Sequence, residues 1–317
     1  MSRGEFAERP PVLLDIGASG AVHPKWAAVA KYSVCVAFDA DEREMGYTEK
    51  QGGVYRKHYV YNCIVTDATG AGGAVEERDF YLTRSPYCSS LLPPDNESLS
   101  DWSFHSLFEV ERVVKLRAAA LTAVLDELKI EKADWFKTDS QGTDLRLFTS
   151  LGDARMKRTL VAEFEPGIID AYRGEDKFWM LLRYMDAAPF FMSGINICGT
   201  QRIGKEGLAL LGEAEKKALP MTLRESPGWA ETTYMNEFRE DADYLDKRDF
   251  MLGWVFAEVE GQHGFAAEVA ARGMRKFGDG IFTEMRDGSL RKLVPGAGLS
   301  VRRFMRRALG RLNRVYK

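Results

Sequence analysis

The chain has 317 residues, of which 45% are hydrophobic and 29% charged, with a formal net charge of −3. This is the composition of a globular protein large enough to bury a sizeable core, and no run approaches the roughly 20 apolar residues that a membrane-spanning helix needs. Four cysteines without metal-type spacing exclude a zinc cluster, and so few in this length exclude a disulfide framework.

The N-terminal MSRGEFAERPP carries acids and prolines where a secretory signal would be apolar, so a cytoplasmic protein is expected. Residues 12–16 are a short apolar run closed by Gly17-Ala18-Ser19-Gly20, the pattern of a buried strand feeding a tight turn. Pro24 suits the first turn of a helix over residues 24–31. Residues 34–38 form a second strand ending at Asp39, and residues 59–65 a third. This strand–helix–strand rhythm indicates a parallel sheet with right-handed crossovers.

Short extended pieces and turns follow between residues 76 and 114, with a stiff proline- and serine-rich loop over residues 85–94. An amphipathic helix is expected over residues 119–129 and a fourth strand over 133–138, ending at Asp139. A fifth strand covers 159–164, a helix 177–188, and a sixth strand 190–197. Residues 229–235 read as an edge strand, and residues 250–274 as helical.

In an open parallel sheet, ligands bind beyond the carboxyl ends of the strands. Asp15, Asp39 and Asp139 all fall at expected strand ends. Gly17 lets backbone approach a ligand closely, and Asp39, 22 residues later, can accept from both hydroxyls of a ribose. The turn lacks G-x-G-x-x-G, having Val22 at the last position, which argues against a dinucleotide or nucleotide-sugar enzyme. An acid two residues before the glycine suits a nucleoside with a cationic amino-acid end, as in S-adenosylmethionine.

The segments 15–20, 38–41 and 88–91, then 134–145 (DWFKTDSQGTDL) and 161–165 (VAEFE), resemble in that order the FkbM family of S-adenosylmethionine-dependent methyltransferases. The resemblance spans about residues 10–200. It implies a Rossmann-like α/β fold, the seven-stranded class I methyltransferase sheet with helices on both faces and an antiparallel last strand. It also implies O-methylation of a hydroxyl on a saccharide or related small metabolite. Asp15, Gly17, Ala18, Ser19 and Gly20 would then surround the methionine end of the cofactor. Asp39 and Ala40 would hold the ribose, with Asn62 and Cys63 lining the adenine. Ala21 stands where the family's third glycine would be, and Gln141 where many members carry an acid.

Methyl transfer to an alcohol favours a general base near the acceptor. Asp139 is the first candidate and His23 the second, each with a plain alternative: an orienting carboxylate and a helix-start histidine. Ser89, Ser90 and His105 are candidate acceptor contacts, against turn-stabilising hydroxyls and a half-buried imidazole. No compact acidic cluster with ligand spacing is visible, so no metal is expected.

Residues 300–317 hold seven bases and no acid around an apolar stripe, leaving 37 bases against 47 acids in the body. An acidic body argues against nucleic acid. The stripe reads either as a peripheral contact with the inner membrane face or as packing on its own body or a twin subunit. The expected organisation is a cofactor-binding domain over 1–236, a helical extension over 237–299, and the tail helix over 300–317. A non-catalytic, partner-recruiting module on the same fold is the alternative to an enzyme.

Overall fold

The computed structural model describes residues 5–18, 23–41, 43, 54–67 and 76–293. Ser19, Gly20, Ala21, Val22 and the tail 300–317 lie outside the described residues. The chain divides into two compact units, Met1–Asp249 and Phe250–Lys317.

The first unit is an α/β layer built on a largely parallel seven-stranded sheet. Its strands in chain order are β1 (Val12–Ile16), β2 (Val34–Asp39), β3 (Lys57–Asn62), β7 (Trp135–Thr138), β8 (Val161–Phe164), β9 (Phe190–Thr200) and β10 (Ser226–Asn236). They lie in the order β3-β2-β1-β7-β8-β10-β9. Pairing is parallel from β3 through β8, and β10 runs antiparallel to both β8 and β9. A second, three-stranded sheet joins β4 (Ile64–Thr66), β5 (Glu76–Thr83) and β6 (Val110–Ala120) in the order β4-β6-β5.

The alternation of each strand sorts the layers. Leu14, Ile16, Val36, Phe38, Phe136, Ala162 and Phe164 enter one apolar cluster with Leu147 and Phe148 of α4 (Asp144–Ser150) and with Leu121 and Leu125 of α3 (Leu121–Glu127). Leu181 and Met185 of α6 (Phe178–Asp186) join it. Phe136, Phe148 and Phe164 meet at 5.1–5.9 Å between ring centroids, edge-on or tilted, the arrangement aromatic quadrupoles favour.

Several elements depart from the sequence pattern. The expected helix over residues 24–31 is a pair of 3-10 turns, Pro24–Ala28 and Ala30–Tyr32. A three-residue period puts Trp26 and Val29 on one side, and both are buried. The third strand is two: β3 pairs with β2, whereas β4 leaves the sheet beyond Cys63 to pair with β6. The helix expected from residue 119 starts at Leu121, because Ala118–Ala120 are held in the β6 ladder. Residues 229–235 fall within β10, which is interior. The edge strand on this side is β9, 11 residues long, and β10 turns back to fill the gap beside β8.

At the opposite end of the strands from their carboxyl termini lies a buried ionic knot. Asp134, 1% exposed, accepts two bonds from the Arg248 guanidinium at 2.8 and 2.9 Å and one from the Val12 amide at 2.9 Å. Lys132 pairs with Asp249 at 2.5 Å. Arg248 also reaches the carbonyls of Arg9 and Pro10, so the knot fastens the chain entering β1 to the start of β7.

The second unit is helical, and the continuous pattern over 250–274 is broken. Helix α9 (Lys247–Val259) ends before Gly261, which has φ +69°, and α10 (His263–Phe277) begins two residues later. Helix α11 (Ile281–Leu293) follows the left-handed Gly278 cap. In this unit Glu258 gathers Ser289, Lys292 and His263, and Trp254 Nε1 donates to Ser289 Oγ at 2.8 Å. Among the described residues no helix is long and apolar enough to cross a membrane.

Candidate functional site

The strand order reverses between β1 and β7: β2 and β3 lie to one side, β8, β10 and β9 to the other. Such a switch point opens a crevice at the carboxyl ends. Gly17, with φ +77°, turns the chain out of β1, and its amide and that of Ala18 both donate to Phe38 O at 3.0 Å. Asp139 follows β7, its amide donating to Ile16 O at 2.9 Å.

Two hollows open here. The smaller, of about 90 Å³, is lined by Gly17, Asp39, Ala40 and Cys63, with apolar walls from Ile64, Val65, Phe80 and Leu91. The larger, of about 320 Å³, is lined by Phe104, Phe108, Tyr172 and Trp229 together with Glu165 and Glu175. Both share Tyr87, Asp139 and Gln141 as a common wall.

That wall is tightly braced. Gln141, with φ +55°, donates from Nε2 to Asp139 Oδ1, and its Oε1 lies 2.9 Å from the Tyr172 hydroxyl. Ser90 Oγ donates to Gln141 O at 2.7 Å and accepts from the Leu92 amide at 3.0 Å. Asp144 is enclosed by Thr138, Ser140 and the Glu165 amide. Those donors fix the β7 turn and occupy the carboxylate. Among the described residues no group of three or more His, Cys, Asp or Glu side chains could hold a metal ion.

Electrostatics sets Asp139 apart. Burial pushes its carboxyl above the ordinary range, opposed by Lys137 and by the Gln141 bond, and reinforced by Asp144. Glu165 is pushed up further, by burial first and then by repulsion from Asp139. The two follow Thr138 and Phe164, which are paired in parallel register, so they stand side by side at the ends of adjacent strands. Charge on Asp139 therefore makes Glu165 harder to ionise.

The sequence candidates divide. Asp39, Ala40 and Cys63 line the smaller hollow, and burial raises the Cys63 thiol to about 11. Asn62 sits beside it, exposed, its amide donating to Asp39 O at 3.0 Å. Asp15 lies within β1 rather than beyond it, 2% exposed, and its carboxylate accepts from Lys137 Nζ at 2.8 Å. Among the described residues it lines neither hollow, and neither does Ala18, which is likewise buried.

Asp15 belongs to a row that crosses the sheet on the face opposite the aromatic cluster. Asp15, Lys137 and Glu163 are successive register partners on β1, β7 and β8. Lys25 extends the row, bonding Glu163 Oε1 at 3.0 Å and Thr233 Oγ1 at 3.2 Å. His23 faces this row, with Nε2 4.0 Å from Glu163, and among the described residues it lines neither hollow. Burial pushes its imidazole below the ordinary value, against the pull of Glu163.

Ser89 lines the smaller hollow, but its Oγ accepts from Arg43 at 2.9 Å and from the Thr83 amide at 3.2 Å. Ser90 braces Gln141 as described. His105 has Nδ1 2.9 Å from Trp102 O, and its neighbours Phe104, Leu107 and Phe108 supply the cavity wall instead. Glu165, Glu175, Tyr172 and Trp229 were not singled out in the sequence. Glu165 could have been, since it follows β8 as Asp139 follows β7.

Comparison with protein-family models, curated proteins and solved structures gives no match.

Proposed function

We propose that this protein is an S-adenosylmethionine-dependent O-methyltransferase of the Rossmann-like class I fold, acting on a hydroxyl of a saccharide or related small metabolite. The resemblance of its motifs to the FkbM family motivates the reading. The observation that carries it is the shared wall: a crevice edged by Asp39 and an aromatic cavity meet at Asp139, where the strand order reverses. The seven-stranded sheet, with its last strand antiparallel, fits that fold.

The residues present suit the cofactor. Gly17 closes the β1 turn against the Asp139 carbonyl at the edge of the crevice, Asp39 offers acceptors to ribose hydroxyls, and Ile64, Val65 and Leu91 form an apolar slot for a flat base. When bound, S-adenosylmethionine supplies a methyl group made electrophilic by its sulfonium. Asp139 takes the proton that the acceptor hydroxyl loses as its oxygen gains the methyl carbon. Gln141, itself held by the Tyr172 hydroxyl, holds the Asp139 carboxylate in place, and Phe104, Phe108 and Trp229 give the larger cavity an apolar side. A non-catalytic module would need no open cavity beside Asp139; about 320 Å³ there favours the enzyme.

Calorimetric titration with S-adenosylhomocysteine and with NAD tests the first half. Binding of the former alone, weakened in Asp39→Ala, is expected, and preferential NAD binding would overturn the reading. Methyl-labelled cofactor incubated with cell-envelope extract tests the second half. Label is expected in the carbohydrate or small-molecule fraction, and label in protein or nucleic acid would refute the acceptor class.

A further inference from the structure

The larger cavity is unbalanced in charge. Asp139, Glu165 and Glu175 line it, and among the described residues no Lys, Arg or His does. Glu175 has its own counter-ion, Lys177 Nζ at 3.1 Å. Lys137, which acts on the other two, is held by Asp15 at 2.8 Å. Two neighbouring carboxyls facing this hollow are costly to ionise together, and burial adds to that cost, so Glu165 keeps its proton while the cavity holds no cation. An uncharged acceptor leaves that proton in place and an anionic one makes ionisation costlier still. A cation displaces the proton and pairs with the carboxylate that forms.

The remaining walls suit a cation too. The Phe104 and Trp229 rings are near-parallel, 10° apart with centroids at 6.4 Å, and Phe108 meets Phe104 edge-on at 5.1 Å. Aromatic faces attract an ammonium group, most strongly where water is excluded, and they also cover the apolar face of a saturated ring. Carboxylate and ring faces together form a receptor for a cyclic amine.

We propose that the cavity takes an acceptor bearing a protonated amine beside the hydroxyl to be methylated, of the amino-sugar or aminocyclitol class, with Glu165 as its counter-ion. The inference rests on the methyl-transfer reading only for calling this the acceptor side. The amine preference itself needs no cofactor. Glu165 sits next to Asp139, so an amine held there brings a neighbouring hydroxyl within reach of Asp139. Phosphorylated and nucleotide-linked sugars are excluded by charge.

The test uses matched ring fragments on the full chain without cofactor: trans-2-aminocyclohexanol, trans-cyclohexane-1,2-diol and trans-2-hydroxycyclohexanecarboxylate, followed by saturation-transfer NMR and calorimetry. With about eight heavy atoms, the amino alcohol should bind in the millimolar range. It should bind at least ~10-fold more tightly than the diol, as a desolvated cation between carboxylate and ring implies, with the carboxylate fragment silent. Calorimetry in two buffers should show a proton released from the cavity on amine binding, a readout that a purely structural Glu165 would not give. Glu165→Gln should remove both the preference and the proton release while leaving S-adenosylhomocysteine affinity unchanged. No binding of the amino alcohol, equal binding of the diol, or a preference surviving in Glu165→Gln would overturn the inference. None of these results touches the cofactor titration, and failure of that titration would leave the amine result standing.

Discussion

A β-carbon placed on Gly17 would lie 2.2 Å from the carbonyl oxygen of Asp139. The turn leaving β1 and the turn leaving β7 are in van der Waals contact at the switch point, and only glycine lets them close. Gly17→Ala therefore faces both a left-handed backbone and a collision with main chain that no rotamer relieves. The expected result is a stability loss of about 1–3 kcal/mol in urea unfolding, with S-adenosylhomocysteine binding lost at temperatures where the fold survives. Retained binding would show that the turn is not part of the cofactor crevice.

Asp139→Asn keeps the shape of the shared wall and removes the base. Turnover should fall by about 10²–10⁴-fold, the range for general-base catalysis, with cofactor affinity little changed. The Asp139 pKa is raised, so its active, ionised form appears only as pH climbs above the ordinary carboxylate range. The wild-type rate should rise through that window, and the residual Asn rate should be flat. A variant that keeps the same pH profile would assign the base elsewhere.

His23→Gln separates the second sequence candidate from the first. His23 faces Glu163 rather than either hollow, so methyl transfer should persist at near-normal rate. Its folded pKa is lowered, so the unfolded chain binds the proton more readily, and folding weakens as pH drops from the ordinary histidine value toward the lowered one. Removing the imidazole should flatten that part of the stability–pH curve. A large loss of turnover with unchanged stability would restore His23 as a catalytic group.

Arg248→Met leaves Asp134 charged, buried and without its bidentate partner. Lys132 Nζ, 3.3 Å away, and the Val12 amide still face the carboxylate, so a loss of about 3 kcal/mol is expected, the low end for breaking a buried pair by removing one partner. Arg248→Met with Asp134→Leu should recover much of it. The folded Asp134 pKa is depressed by Arg248, so the pair's stabilisation holds above the ordinary carboxylate value and is lost as pH falls toward the folded one. Denaturation curves at neutral and acid pH measure both effects.

Ser90→Ala distinguishes bracing from substrate contact. Loss of its bonds to Gln141 O and the Leu92 amide should reduce stability by about 1–2 kcal/mol, and turnover should fall through a loosened Gln141 while KM for the acceptor stays near its original value. A rise in KM alone would place the hydroxyl on the acceptor.

Strands β1, β2, β7 and β8 were legible because each is a short run with apolar residues bounded by turn residues, and Asp39 and Asp139 because each closes such a run. Position along the chain does not reveal which side of a strand a residue takes when both layers are buried. That is why Asp15 could be placed at the crevice in sequence yet faces Lys137. The 3-10 turns after residue 23 escaped because a buried Trp26–Val29 pair fits either helical period within eight residues. The aromatic cavity was hidden for another reason. Phe104, Tyr172 and Trp229 come from three distant loops, and local periodicity carries no trace of their meeting.

The Asp15–Lys137–Glu163 row has a consequence for how the sheet assembles. A parallel strand that slides by one residue exchanges its two faces. Slippage of β7 between its neighbours would thrust an ammonium group among Phe148 and Phe164 and set Asp15 and Glu163 beside aromatic carbon. The alternating signs thus act as a key that fits one alignment, and the three positions should tolerate replacement only together, as an apolar triplet, at the expense of that selectivity.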